Sequence, residues 1–154
     1  MSHRYEATVE WRAGAGEPFA SRRYSRAHSW RFDGGAVVPA SASPLVVPAP
    51  LSDAAAVDPE EALIAAIASC HMLFFLDLAS RKGLDVASYT DQAVGEMAQR
   101  EDGRTAMIAA TLRPKAEFVG EADWALVEQL HHRAHELCYI ANSVNFPVTV
   151  DPVK

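Results

Sequence analysis

Two cysteines, Cys70 and Cys138, are the residues of this chain best suited to covalent chemistry, and 68 positions separate them. A thiolate is a nucleophile, and two thiols that meet in space can cycle through a disulfide. The count alone leaves two readings open. The thiols are either small buried core residues, as free cysteine commonly is, or a redox pair. A reducing compartment argues against a permanent bridge. The histidines form a second group. His131 and His135 are spaced i, i+4, His132 adds a donor, and Cys138 follows three residues on, a pattern that could present a metal face. No second ligand cluster accompanies it, so no metal is expected. His71 adjoins Cys70 but lies about 100° around a helix from it. It reads as a packing histidine, and His28 has no assigned role.

Something must position these residues. The clearest element is a helix over 58–83. Asp58 suits the N-cap, Pro59 the first helical position, and Glu60 and Glu61 the positive end of the helix dipole. Arg81 and Lys82 suit its last turn, with Gly83 as the terminator. Between these ends the sequence is apolar on nearly every side, so the helix must be buried on nearly every side. One chain of 154 residues can hardly cover it, and a second copy packed against it is the simplest solution. A second helical pattern runs over 122–138 through Trp124, Leu126, Val127, Leu130, Ala134 and Leu137.

Strands are expected around these helices. Tyr5, Ala7, Val9 and Trp11 alternate with polar residues and read as a half-buried strand. Further strands are expected over 19–24 and 27–32, and then over 86–98, 104–115 and 146–150. Turn signals stand at Gly14–Pro18, at Asp33-Gly34-Gly35 and at Glu101-Asp102-Gly103. The segment 36–57 is rich in Ala, Ser and Pro. Pro39, Pro44, Pro48 and Pro50 oppose a helix or a central strand, so it reads as an extended connection packed over the surface. The order is that of a single α+β domain over 1–154, with antiparallel sheets against long helices.

Composition narrows the function classes. Apolar residues are 49% and charged residues 22% of the chain, which is globular rather than disordered. A net charge of −6 with no basic cluster disfavours a nucleic-acid partner. The longest uncharged run, Ala62 to Leu76, is short for a bilayer and is interrupted by His71. No secretion signal is visible near Met1, so a cytoplasmic protein is expected.

The run Asp58-Pro-Glu-Glu-Ala-Leu-Ile-Ala-Ala-Ile-Ala-Ser-Cys70-His resembles the central-helix signature of the OsmC/Ohr family. That signature is a Pro-Glu pair, an apolar stretch, and a cysteine ten residues after the first Glu. The family's second signature is a cysteine near the end of a later helix, matched by Ala134-His135-Glu136-Leu137-Cys138 and then Ile140-Ala141-Asn142-Ser143. Gly83-Leu84, Asp91 to Gly95 and Leu112-Arg113-Pro114 are also similar. The resemblance covers nearly the whole chain. It implies an OsmC/Ohr-like fold and an intertwined homodimer with its sites at the interface. It implies a thiol-dependent peroxidase: Cys70 attacks an organic hydroperoxide, its sulfenic acid condenses with Cys138, and an external dithiol, such as a dihydrolipoyl group, resets the pair. No resident cofactor is implied.

A mid-helix cysteine in apolar surroundings needs a cation to favour its thiolate. The family supplies an Arg from the N-terminal sheet, paired with the Glu of the Pro-Glu motif. Spacing matches Glu60 to that Glu and Arg26 to that Arg, with Arg22, Arg23 and Arg31 nearby. A permanent, forked charge suits the role. The bland alternatives are a strand charge for Arg26 and a helix-start carboxylate for Glu60. Ten helical residues put Glu60 about 15 Å from Cys70 along the axis, so either the helix begins later than Asp58 or Glu60 serves the other subunit's cysteine; the second is favoured because it also explains the all-round apolar helix. Cys138, near a helix C-terminus, suits the resolving role. Met72, Leu73, Phe74 and Phe75 could line a pocket for an alkyl or aryl hydroperoxide, or simply pack. Segment 36–56 and His71 depart from the Ohr branch and place the chain nearer the general OsmC-like branch. A redox-sensing or small-molecule-binding protein with little turnover is the alternative.

Overall fold

A computed structural model of the chain describes residues 2–16 and 19–154, so Glu17 and Pro18 of the first expected turn lie outside the described residues. The chain divides into two compact units, one ending at Ala62 and the other Leu63–Lys154.

The first unit is built on a three-stranded antiparallel sheet, β1 (Ala7–Glu10), β2 (His28–Phe32) and β3 (Val37–Ala40), in that order. β2 lies in the middle, with Val9 opposite Trp30 and Trp30 opposite Val38. The Asp33-Gly34-Gly35 turn closes the second hairpin: Gly34 N–H donates to Asp33 Oδ1 at 2.8 Å, and Gly35 takes a φ of +88° that favours glycine. β3 corrects the view of 36–57 as connection only. Pro39 is tolerated because β3 is an edge strand of the sheet, where one ladder bond is dispensable. Val57 then bridges back to Ala40, and Ser41 and Ser52 are buried, so the segment reaches below the surface.

The expected strand over 19–24 is absent. Phe19–Ser21 forms a 3-10 turn, with Arg22 N–H donating to Phe19 O at 3.0 Å. Phe19 and Tyr24 stack with ring centroids 4.7 Å apart. A strand would hold them about 17 Å apart, at 3.3 Å per residue. Ring packing therefore prevails over the alternating pattern.

α1 (Pro59–Arg81) begins and ends where its signals stand. Asp58 Oδ1 accepts from Glu61 N–H at 2.8 Å, and Glu61 returns the bond to Asp58 N–H at 3.3 Å. This reciprocal capping box is worth about 1 kcal/mol. At the other end Leu84 N–H reaches Ala79 O and Gly83 N–H reaches Ser80 O, both at 3.0 Å, with Gly83 at φ +74°. That is the Schellman closure.

In the second unit, α1 packs with α2 (Trp124–Leu137) and five strands: β4 (Val86–Asp91), β5 (Val94–Gln99), β6 (Thr105–Leu112), β7 (Pro114–Phe118) and β8 (Val148–Val150). The two long strands expected over 86–98 and 104–115 are each broken. β4 pairs with β7 and β5 with β6, both antiparallel. The breaks fall opposite one another because Pro114 has no N–H for the ladder, while Arg113 N–H donates to the Asp91 carboxylate at 2.7 Å. β8 adds to β6 in parallel, an exception to the antiparallel expectation. At Gly95 a Cβ would stand 2.5 Å from Ile64 Cδ1, so the sheet lies close against the helix there.

Two clusters fill this unit. Phe75 and Ala79 of α1 meet Val127, Leu130 and Ala134 of α2 in one, and Ile67 meets Ala110 and Leu112 of β6 in the other. The buried positions of α1 are Ile67, His71, Phe75 and Ala79, a single i, i+4 stripe. The other apolar positions of the helix are only partly covered: Phe74, Leu76 and Leu78 are half-buried, and Leu73 is 62% exposed. By length and composition alone α1 is apolar enough to cross a membrane, with mean hydropathy 2.0 over an 18-residue window. The uncharged run understates this, because a helix extends past charges at its ends.

Candidate functional site

The structure brings Cys70 and Cys138 together. Cys70 stands mid-α1, half-buried, and Cys138 caps the C-terminus of α2, fully buried. Asp123 fixes the other end of α2 by accepting from Ala125 N–H at 3.0 Å. Both thiols are free, and Cys70 is a neighbour of Cys138. Ile67 O lies 3.9 Å from Cys138 Sγ, and Ala141 N–H donates to the same sulfur at 3.4 Å. Burial pushes the Cys138 thiol up to about 11, with the neighbouring Cys70 adding to the rise and the Ala141 N–H opposing it. Cys138 therefore stays a thiol at neutral pH.

Next to Cys70, His71, expected only to pack, pairs with His131, which the spacing had placed on a possible metal face. His71 and His131 are both buried, and His71 Nε2 stands 3.0 Å from His131 Nδ1, a hydrogen-bonded pair of rings. His131 also stacks on Phe75, with centroids 4.0 Å apart. Burial lowers both histidines, to about 4 for His71 and about 3 for His131, so the pair is neutral at pH 7. His131 is thus turned inward to its partner ring rather than presented with His135 on an open chelating face. Among the described residues, no group of three metal-ligating side chains stands together. Phe75 is core rather than pocket lining, and Phe74 packs edge-on to Tyr139 at 5.0 Å.

Arg26 belongs to the first unit, where it lines a cavity of about 500 Å³ with Val9, Trp11, Phe19, Tyr24 and His28. The wall is largely aromatic, with Trp11 5.4 Å from Tyr24 and 5.6 Å from Phe19. Arg26 is firmly held. Its Nη1 donates to Arg22 O at 3.0 Å and to Tyr24 O, and its guanidinium lies 3.8 Å over the Tyr24 ring. His28 is locked as well: Nδ1 donates to Arg26 O at 2.8 Å and Nε2 accepts from Trp30 Nε1 at 3.1 Å. Of the four candidate arginines, Arg26 alone lines the cavity. Arg31 is engaged with Glu10 at 2.6 Å on the surface, and Arg22 and Arg23 are exposed.

Glu60 is half-buried in the first turn of α1 and, among the described residues, makes no ion pair. The Arg26–Glu60 pair that the resemblance implies is not formed within this one chain. The cavity wall was missed in the sequence, although the alternation through Val9 and Trp11 already placed those two on one face.

The fold is α+β, and two cysteines distant in sequence are neighbours where two helices meet. The OsmC-like protein family model matches residues 52–153, and the chain belongs to that family. An OsmC-like protein of unknown function from Vibrio cholerae is 46% identical, with a TM-score of 0.96 over 99% of this chain and 100% of that one. An organic hydroperoxide resistance protein from Elizabethkingia anophelis shares the fold at TM-score 0.71 and 15% identity, covering 100% and 99% of the two chains. The organic hydroperoxide resistance protein OhrB of Bacillus subtilis shares it at TM-score 0.65 and 19% identity, covering 97% and 98%. No curated protein matches the sequence.

Proposed function

We propose that this protein is a thiol-dependent peroxidase that reduces organic hydroperoxides to alcohols in the cytoplasm. The observation that carries the reading is that Cys138 Sγ packs on α1 at Ile67 O, one turn before Cys70, with Cys70 as its neighbour. The Cys70 thiolate attacks the O–O bond, releasing the alcohol and leaving a sulfenic acid. The Cys138 thiol displaces water from it to form the disulfide. An external dithiol, such as a dihydrolipoyl group, then takes the disulfide back to two thiols and becomes a disulfide itself. A thiol held neutral suits Cys138 as resolver and leaves the attack to Cys70. Hydroperoxide resistance in the names of the Elizabethkingia and Bacillus structures supports the same role.

Cys70→Ser abolishes turnover on this reading, whereas Cys138→Ser consumes about one equivalent of cumene hydroperoxide per site. Full turnover by the Cys70 variant rules the roles out.

Arg26 and Glu60 are read as the groups that favour the Cys70 thiolate, in a homodimer whose second copy covers the exposed apolar face of α1. Mixed dimers of Cys70→Ser with Glu60→Ala subunits then retain one working site each. Absence of recovered activity excludes a shared site.

The aromatic cavity of the first unit favours one other reading, a small-molecule-binding protein with little turnover. Steady-state consumption of hydroperoxide with dihydrolipoamide separates the two.

A further inference from the structure

The core of the second unit contains two histidines where two apolar residues would pack as well. Replacing both partners of a buried polar pair by apolar groups is often neutral for stability. The pair therefore calls for a reason other than holding the fold together. Its cost is visible: His71 Nδ1, on a ring that is 0% exposed, has no hydrogen-bond partner.

Its placement is specific. His71 directly follows Cys70, and His131 lies seven residues, two helical turns, before Cys138 on the same face of α2. The 3.0 Å bond between the rings is thus a cross-link between the two helices that carry the thiols. Apolar contacts tolerate sliding of one helix along another, but a hydrogen bond does not. Phe75 stacks on His131 and fixes its ring plane, so the bond defines one register of α1 on α2. Disulfide geometry is equally demanding, with Cβ atoms about 3.8 Å apart.

We propose that the His71–His131 hydrogen bond is a positioning device that sets the register of α1 against α2 at which Cys70 and Cys138 join and part. This rests on the reading of the two cysteines as a working redox pair. Neither histidine touches peroxide; both act through helix placement. His135 on α2 and Tyr89 on β4 are the titratable groups that face the pair, and burial keeps both rings uncharged at working pH.

The test is a redox titration of the folded protein in buffers of reduced and oxidised dithiothreitol, with thiols trapped by alkylation and counted by mass. Two electrons and two protons pass from Cys70 and Cys138 to the cyclic disulfide of the buffer. His131→Leu, which strands His71 Nε2, shifts the equilibrium about tenfold toward the dithiol, about 30 mV. Should that variant fail to fold, His71→Leu with His131→Leu strands no polar atom and carries the same expectation. The amide pair His71→Gln with His131→Asn restores a donor and an acceptor at matching positions and returns the constant to within about threefold of the parent. Leu130→Ala, a core change on the same helix, lowers the melting temperature and leaves the constant alone. An unchanged constant in the leucine variants overturns the proposal. A parent protein that forms no Cys70–Cys138 disulfide in any buffer overturns instead the reading beneath it.

Discussion

The two units of this chain handle polar groups in opposite ways. In the second unit, Cys138, His71 and His131 are enclosed, and burial sets their protonation: the thiol is pushed up and the imidazoles down. In the first unit, Arg26 keeps its permanent charge at the wall of an open aromatic cavity, held by backbone carbonyls and a ring face. Burial holds the Cys138 thiol and both imidazoles neutral. An accessible, preset cation suits a group that must meet a charge as it forms. These two settings can be tested one at a time.

The largest effect is expected at Arg26. Arg26→Ala lowers kcat/KM for an organic hydroperoxide about 100-fold, the scale of a lost electrostatic contact in the transition state. Alkylation of Cys70 by iodoacetamide at neutral pH slows in the same variant, because less of the thiol is ionised. A loss of rate with unchanged alkylation assigns Arg26 a role other than favouring the thiolate.

Acid tests the second unit. His71 and His131 have folded values below the ordinary 6.5, so on acidification the unfolded chain takes up protons first. Their contribution to stability is complete above pH 6.5 and is lost as pH falls toward about 4, the value for His71. Each that titrates contributes a slope of about 1.4 kcal/mol per pH unit. Urea midpoints between pH 7 and 4.5 follow this fall, and His71→Leu with His131→Leu flattens it. A parallel curve for the double variant assigns the acid sensitivity elsewhere.

Close packing of the second unit predicts a smaller loss at Gly95. Its added Cβ meets Ile64 at 2.5 Å and Met107 Sδ at 3.0 Å, so Gly95→Ala costs about 1–3 kcal/mol by overpacking. Ile64→Val in the same chain recovers part of it in thermal melts. A neutral Gly95→Ala shows that the sheet yields against the helix more easily than this spacing suggests.

Legibility in the sequence followed the range of the interactions. The ends of α1 were readable because Asp58, Glu61 and Gly83 act on backbone groups within a few residues. The α+β class and the family were readable from element order and from the motifs around the two cysteines. The segment 19–24 was not, because its shape follows from Phe19 meeting Tyr24 and Trp11 rather than from local alternation. The break at Arg113-Pro114 was legible in the proline alone, but its counterpart at Asp91 is a contact across 22 positions.

The sequence by itself determined the helices, the caps of α1, the family, and which cysteines to watch. Tertiary structure alone decided that Cys70 meets Cys138, that Arg26 rather than its neighbours faces the cavity, and that His71 is half of a buried pair. The physical reason is common to all three. Caps and periodicity are satisfied within a turn or two of backbone, so local residue types suffice to specify them. A thiol contact across 68 positions and a ring pair across 60 exist only once α1 and α2 have packed, and no local pattern records that register.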